Sequence, residues 1–462
     1  MLRCNIKNFT EPGVVAPALC GGRHANGRRR LLPDFLLLWR PSQWLHGLTR
    51  MLIDYWRFAL ANPRFLGFGF LLAFVSSAGQ TYFIGVFGAG IQAEFGLDPG
   101  SWGRIYMIGT LASALVINWT GMLIDRIDLR WFSALAMLGL AGACVTIASV
   151  STPMMLVVAV FLLRQFGQGL CSHTGITSMA RYFNADRGKA IALAAIGFSF
   201  GEALLPVAGL YAATALGWRT TYYLVALAVL SLIVLALWLL RGHGERHARH
   251  LDALKQQASE DQSGADYTRR DMLMERRFYL LLPAMIAPAM IGTALFFFPA
   301  EIAAAKHWSS LWLTGNYWLY SVVGVATTIY SGILIDRFGA RRVVPLFLLP
   351  LAASLVVLIL SDHPWLVWPY MILMGISTGI YFTGLSALWA ELYGPKHLGA
   401  IKSLTNAIMV FASALGPALV GTLLQWGVPF AGVMLLLAAF CLGATVLLVY
   451  ALRDSIRPAP AP

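Results

Sequence analysis

Apolar residues run through this chain in long blocks separated by short polar punctuation. Between Arg64 and Glu94 lie 29 consecutive residues without Asp, Glu, Lys or Arg. Crossing a hydrocarbon core about 30 Å thick takes roughly 20 apolar residues in a helix, so this block is long enough to span. Comparable blocks recur to the C-terminus and give twelve expected spans. The first six are 65–89, 103–122, 131–150, 153–176, 189–212 and 218–240; the second six are 278–301, 311–334, 343–361, 365–390, 400–424 and 428–451. No alternating barrel pattern is present, and lipid leaves the backbone only one other way to satisfy its polar groups. The pattern therefore predicts an all-α integral membrane protein with twelve transmembrane helices.

The polar punctuation supplies sidedness. With both termini on one side, that side's segments carry 30 of the 34 Lys and Arg residues. Arg104, Arg219 and Lys306 fall on the other side, and Arg164 falls inside a span. Basic loops mark the cytoplasmic face, so both termini are expected in the cytoplasm. The expected organisation is a cytoplasmic segment 1–64 with an interfacial helix near 51–64, a six-helix bundle 65–240, a polar linker 241–277, a second six-helix bundle 278–451 and a tail 452–462. Residues 1–45 include Arg28-Arg29-Arg30 and a short apolar run, Leu31 to Trp39. Pro33 and Asp34 interrupt that run and no small-residue cleavage site follows, which argues against a signal peptide. The stretch is expected to be disordered, with Met51 as an alternative start.

Composition narrows the class. Charged residues make up only 12% of the chain, against about 25% in a soluble one. The net charge of +13 does not argue for nucleic acid, because the basic residues are spread over loops and not gathered into one patch with aromatics. Arginine exceeds lysine 28 to 6, the usage of a GC-rich bacterial genome, so an inner membrane is the expected location. Cys4, Cys20, Cys144, Cys171 and Cys441 contain no C-x-x-C pair, and the last three fall in spans. They read as packing residues, and neither a metal nor a cofactor is expected. Gly197-Phe198-Ser199-Phe200-Gly201 fits G-x-S-x-G, but a nucleophile elbow needs a strand before it and a helix after it. Here the motif lies within one apolar helix, where small residues every four positions suit close packing. Asn118-Trp119-Thr120 fits a glycosylation triplet but sits near a cytoplasmic helix end. No catalytic residue emerges, and the chain is not expected to be an enzyme.

The two halves repeat at a constant offset of 211 residues: Gly121 with Gly332, Gly188 with Gly399, Pro206 with Pro417, and Tyr106 with Tyr317. Such spacing implies two six-helix bundles related by parallel duplication, an architecture that holds substrate near the midplane between the halves. Gly332, Asp336, Arg337, Gly339, Arg341 and Arg342 resemble the signature loop of the major facilitator superfamily. The first copy, Gly121, Asp125, Arg126 and Arg130, departs from it with Asp128 in place of a glycine. Leu163-Arg164-Gln165-Phe166-Gly167-Gln168-Gly169 resembles the family's fourth-helix pattern. Arg181 to Ala190, followed by Gly197-x-Ser199-x-Gly201, resembles the branch of monocarboxylate and oxalate–formate carriers. The resemblance covers about residues 60–452 and implies the major facilitator fold.

Candidate function follows from charge inside the membrane. Arg164 lies about 16 Å from one edge of its span and Glu202 about 20 Å from the opposite edge, at 1.5 Å per residue. Both then sit at similar depth, where an unpaired charge costs about 2.5–3.5 kcal/mol on insertion scales. An ion pair between them is one expectation. Proton exchange at Glu202, or anion attraction by Arg164, is the other. Gln80, Thr81, Asn316, Tyr320, Tyr381 and Asn406 are further candidates for the wall of a substrate cavity. The loop residues Gly121, Asp125, Arg126, Gly332, Asp336, Arg337 and Arg341 are candidates for a gate, because a carboxylate there can face the positive N-terminus of a neighbouring helix. The expectation is a secondary active transporter of a small organic solute, an organic anion or metabolite, working by alternating access. Its partners would be that solute, protons and the bilayer, with no nucleic acid, and the chain would act as a monomer. Efflux of drug-like compounds and a non-transporting sensor are the alternatives.

Overall fold

The computed structural model describes residues 53–183, 186–244, 269–394 and 398–453, without the side chain of Asp125. The stretch 1–45, most of the expected linker and the tail beyond Arg453 lie outside the described residues. Met1–Arg57 and Phe58–Pro462 separate as two compact units, and the second holds the whole bundle.

Among the described residues, eleven helices are long and apolar enough to cross a membrane. They are α2 (Pro99–Thr120), α3 (Leu129–Ala148), α4 (Pro153–Tyr182), α5 (Arg187–Leu216), α6 (Trp218–Leu239), α7 (Arg276–Phe297), α8 (Ser310–Phe338), α9 (Ala340–Leu360), α10 (Pro364–Tyr393), α11 (Leu398–Gln425) and α12 (Phe430–Arg453). By length and composition, the bent pair Ile53–Ala61 and Pro63–Gly79 makes a twelfth candidate span; the segment α1 (63–95) is assembled from the pieces Pro63–Val75, Ser76–Gly79, Thr81–Val86 and Gly88–Phe95. Within the segment expected to be interfacial, Ile53–Ala61 is helical and ends at Asn62 and Pro63.

Two spans are not the regular helices that hydropathy alone implies. In α1, Ser76 Oγ donates to the Ala73 carbonyl at 2.7 Å and the helix tightens to a 3₁₀ turn. Gln80 is then extended, at φ −85° and ψ 153°. In α4 the segment Arg164–Cys171 is a π-helix. The breaks face one another. A Cβ on Gly79 would stand 2.1 Å from the Leu163 carbonyl oxygen, and one on Gly167 would meet the Gly79 Cα at 2.6 Å. Lipid supplies no hydrophobic force between helices, so close backbone approach over small residues takes its place. The Gly197-x-Ser199-x-Gly201 motif does the same work. A Cβ on Gly197 would lie 2.3 Å from the Phe70 carbonyl, and one on Gly201 would lie 2.0 Å from Ser77 Oγ.

The duplication shows in the packing. α3 packs on α6 in the first half, and α9 packs on α12 in the second. Pro206 and Pro417 each sit inside the fifth helix of a half. The halves meet where α2 runs beside α11, α5 beside α8, and α1 beside α7. The three basic residues on the sparsely charged end all tie chain segments together. Arg219 binds Glu94 at 2.6 Å and the carbonyls of Ala148 and Val150. Lys306 binds Asp362 at 2.5 Å, and Arg104 donates to Gln425 at 3.2 Å. The Arg219 guanidinium holds the Glu94 carboxyl below its usual range, and Lys306 does the same for Asp362.

Candidate functional site

The turns at 121–128 and 339–340, the turn at 240–243 after α6 and the last described residue, Arg453, lie at one end of the bundle, the termini-bearing end; the connections at 96–98, 149–152, 298–309, 361–363 and 426–429 lie at the far end. Contact between the halves is concentrated at the far end. Gln92 Nε2 of α1 donates to Glu301 Oε1, just beyond α7, at 2.8 Å. Glycines let backbones touch there: a Cβ on Gly85 would be 2.3 Å from the Phe296 carbonyl, on Gly103 2.4 Å from the Pro417 carbonyl, and on Gly421 2.3 Å from the Pro99 carbonyl. The Phe297 ring lies 5.1 Å from Trp102 and 4.5 Å from Tyr106. Among the described residues, no hydrogen bond joins the halves at the termini-bearing end.

Two charges lie at mid-depth, below this seal. Arg164 is 3% exposed. Its Nη1 donates to the Gly79 carbonyl at 3.4 Å and to Thr81 Oγ1 at 3.3 Å, both exposed by the break in α1. Thr81 in turn shares a hydrogen bond with the Tyr106 hydroxyl, and the guanidinium stands 5.4 Å from the centre of the Tyr106 ring. Arg164 Nε has no partner. Glu202 is half-buried and accepts from Ser321 Oγ of α8 at 3.0 Å. Tyr82, Tyr317 and Tyr320 lie close enough to feel its charge. Arg164 and Glu202 make no ion pair, which corrects the expectation drawn from their depth. Depth fixes height in the membrane but not direction around a helix axis. α5 turns Glu202 toward the second half, whereas the π segment of α4 holds Arg164 against α1.

The remaining expected wall residues divide. Tyr320 donates to Thr378 Oγ1 at 3.2 Å, beside the Glu202 group. Tyr381 donates to the Met285 carbonyl at 2.9 Å, and Asn406 borders a gap between α10 and α11. Asn316 is engaged at both ends of its amide, with Trp312 and Trp368, and braces α8 on α10. Gln80 makes no side-chain hydrogen bond among the described residues.

A family model for the Major Facilitator Superfamily matches residues 69–327 and 302–462. The chain belongs to the Major Facilitator Superfamily. Its fold is similar to a bacterial homolog of the human lysosomal transporter Spinster, with 15% identity, TM-score 0.64, and coverage of 87% of this chain and 99% of that one. It is equally similar to the nucleoside transporter NupG, with 14% identity, TM-score 0.64, and coverage of 84% and 99%. Among curated proteins it resembles the multidrug resistance protein MdtH of Cronobacter sakazakii, 26% identical over 169 residues, and that of Yersinia enterocolitica, 32% identical over 137 residues. These matches take in 36% and 29% of this chain. They span only 42% and 33% of the relatives' own lengths.

The superfamily's signature loops take a definite form. Gly339 has φ +81° between α8 and α9, a left-handed conformation that favours glycine. Asp128, which replaces a glycine in the first copy, has φ −54° and instead caps α3, accepting from the Arg130 amide at 2.8 Å. Asp336, Arg337 and Arg126 are exposed, and Asp336 has no ion-pair partner among the described residues. The carboxylate that caps a helix here is Glu391 of α10. It accepts from the amides of Ala340 at 2.6 Å and Arg341 at 3.4 Å, at the start of α9. Sequence reasoning missed Glu391 because its partners are about 50 residues away. The Tyr106–Tyr317 pair was visible as a repeat, and each tyrosine lies beside one of the two mid-depth charges.

Proposed function

We propose that this chain is a secondary active transporter that moves a small organic solute across a bacterial inner membrane by alternating access, with both termini in the cytoplasm. The observation that carries this reading is the asymmetry of contact between the halves. Hydrogen bonds, rings and backbone approaches join them at the far end, while no hydrogen bond between described residues joins them at the termini-bearing end. In that reading the structure is inward-facing, and transport requires the far-end seal to part while the loops around Asp125 and Asp336 engage the opposite half. Gly121, Arg126, Gly332, Arg337 and Arg341 shape those loops.

Glu202 is the proposed coupling residue. Among the described residues it has one hydroxyl donor, Ser321, no cation and three nearby tyrosines, and it sits at the α5–α8 contact, where one half moves past the other. A carboxyl at such a boundary exchanges its proton as its surroundings alternate. Arg164 is the proposed organiser of the first half: its partners are a carbonyl and a hydroxyl of α1 and the ring of Tyr106. The test is cysteine accessibility in sealed vesicles. Cysteines replacing the buried far-end alanines Ala303 and Ala418 should be protected from an external thiol reagent at rest and labelled during turnover. Protection unchanged by a transported solute would refute alternation. Stabilisation of the purified chain by lipophilic cations, with none by organic acids, would favour the exporter reading suggested by the names of the partial relatives.

A further inference from the structure

The gap that Asn406 borders in the second half has no part in the reading above. It lies between α10 and α11, toward the termini-bearing end, and has a volume of about 190 Å3. Lys402 enters it one turn into α11. Its Nζ donates to Ser386 Oγ of α10 at 2.5 Å, and among the described residues no carboxylate pairs with it. An ammonium carries three N–H donors, so two remain for another acceptor. A lysine near a helix end ordinarily snorkels to the membrane surface, whereas this one reaches sideways to α10. Glu391, a carboxylate of the same helix, is held by the amides of Ala340 and Arg341.

Asn406 stands on the next turn of α11, exposed and without a partner among the described residues. It precedes Pro417 by 417 − 406 = 11 residues, close to three turns of 3.6, so the two share a face. Pro417 meets Gly103 of α2, and Asn406 accordingly faces the first half. The cavity thus opens between the halves. Its other walls include the rings of Tyr381, Phe382 and Trp389 beside the aliphatic Leu385 and Met409. The Tyr381 hydroxyl is already committed to Met285, which leaves its ring to the cavity.

We infer that this gap binds the acidic end of the transported solute, and that the solute is an organic monoanion with an apolar body. Lys402 meets the single negative charge, Asn406 and Ser386 add hydrogen bonds, and the rings cover the apolar part. This inference rests on the transport reading and adds the substrate class to it. Charge-assisted hydrogen bonds are about twice as strong as neutral ones, so the ammonium is the group whose removal reports the site.

The full-length chain in detergent would be titrated with benzoate and with its neutral isostere benzamide, reading thermal stabilisation. Benzoate should stabilise the protein and benzamide should not. Lys402→Gln should weaken benzoate at least tenfold, about 1.4 kcal/mol, Lys402→Arg should recover part of that, and Asn406→Ala should weaken it less. Benzoate that stabilises Lys402→Gln as well as wild type, or that does not stabilise wild type, overturns the inference. Reconstitution in phosphatidylcholine alone, or with an equal part of phosphatidylglycerol, separates a solute from a headgroup. If phosphatidylglycerol stabilises through Lys402 and benzoate does not compete, the gap is a lipid site and the inference falls. Labelling at positions 303 and 418 is read separately. An anion effect lost with alternation intact sinks only this inference, and alternation absent in wild type sinks the transport reading.

Discussion

Neutralising Glu202 and Arg164 singly and together separates a structural pair from two independent sites. Glu202→Gln keeps an oxygen that accepts from Ser321, so it exchanges a charged hydrogen bond for a neutral one. Those differ by about 1 kcal/mol, and stability should stay within about that margin of wild type. Arg164→Gln loses donors to Gly79 and Thr81 and the contact with Tyr106. Charged hydrogen bonds contribute about 1.5–3 kcal/mol and a desolvated cation–π contact about 2. Gln recovers part of this through its own amide, so a loss of about 2–4 kcal/mol is expected. The two residues share no hydrogen-bond partner, so the double mutant should show the sum of the single effects within about 0.5 kcal/mol. Had they been paired, each single change would cost about 3–5 kcal/mol and the double change would restore stability. The assay is thermal denaturation in detergent for wild type, both single mutants and the double, beside uptake and exchange in proteoliposomes. Glu202→Gln should keep solute exchange and lose proton-driven uptake. A double mutant more stable than Arg164→Gln alone refutes the separation, and wild-type proton-driven uptake by Glu202→Gln refutes its coupling role.

Gly103→Val should wedge the far-end seal against the Pro417 carbonyl at a cost of about 1–3 kcal/mol, exposing a cysteine at the buried Ala418 from outside without ligand; unchanged protection counts against the seal. Asp336→Asn should slow turnover and raise the inward-facing fraction, because a carboxylate at a helix N-terminus is worth up to about 2 kcal/mol and is free in the state seen here; equal populations in mutant and wild type would contradict it. Burial pushes the Glu301 carboxyl above its ordinary 4.5, with the Gln92 hydrogen bond opposing. A raised acid favours the sealed state when protonated, so far-end labelling should fall as external pH drops toward and through 4.5, and Glu301→Gln should abolish that trend. Cysteines at 126 and 337 should label only from the cytoplasm and one at 362 only from outside; labelling of 337 and 362 from one side would break the topology.

Much of the fold was legible because a bilayer imposes one-dimensional rules. Length and hydropathy located the spans within a few residues, and a 211-residue offset exposed the duplication without any tertiary information. The family followed from the same landmarks. The site was legible only in part. Arg164, Thr81, Glu202 and Tyr320 stand in the two mid-depth clusters, but the breaks in α1 and α4 that aim Arg164 at Gly79 left no hydropathy signal. Lys402 counted in the sequence as one more inside-positive charge.

By itself the sequence determined which segments are long and apolar enough to cross, how the halves correspond and how far along its helix each charge lies, since all three depend on distance along one helix axis. Tertiary structure alone decided which residues meet. Gln92 and Glu301 are 209 residues apart, and Glu202 finds Ser321 across the interface and not the arginine at its own level. Such contacts depend on the rotation of each helix about its axis and on where small residues let backbones close. Neither is written in the period of the hydrophobic pattern, because a span apolar on every side has no face for the sequence to mark.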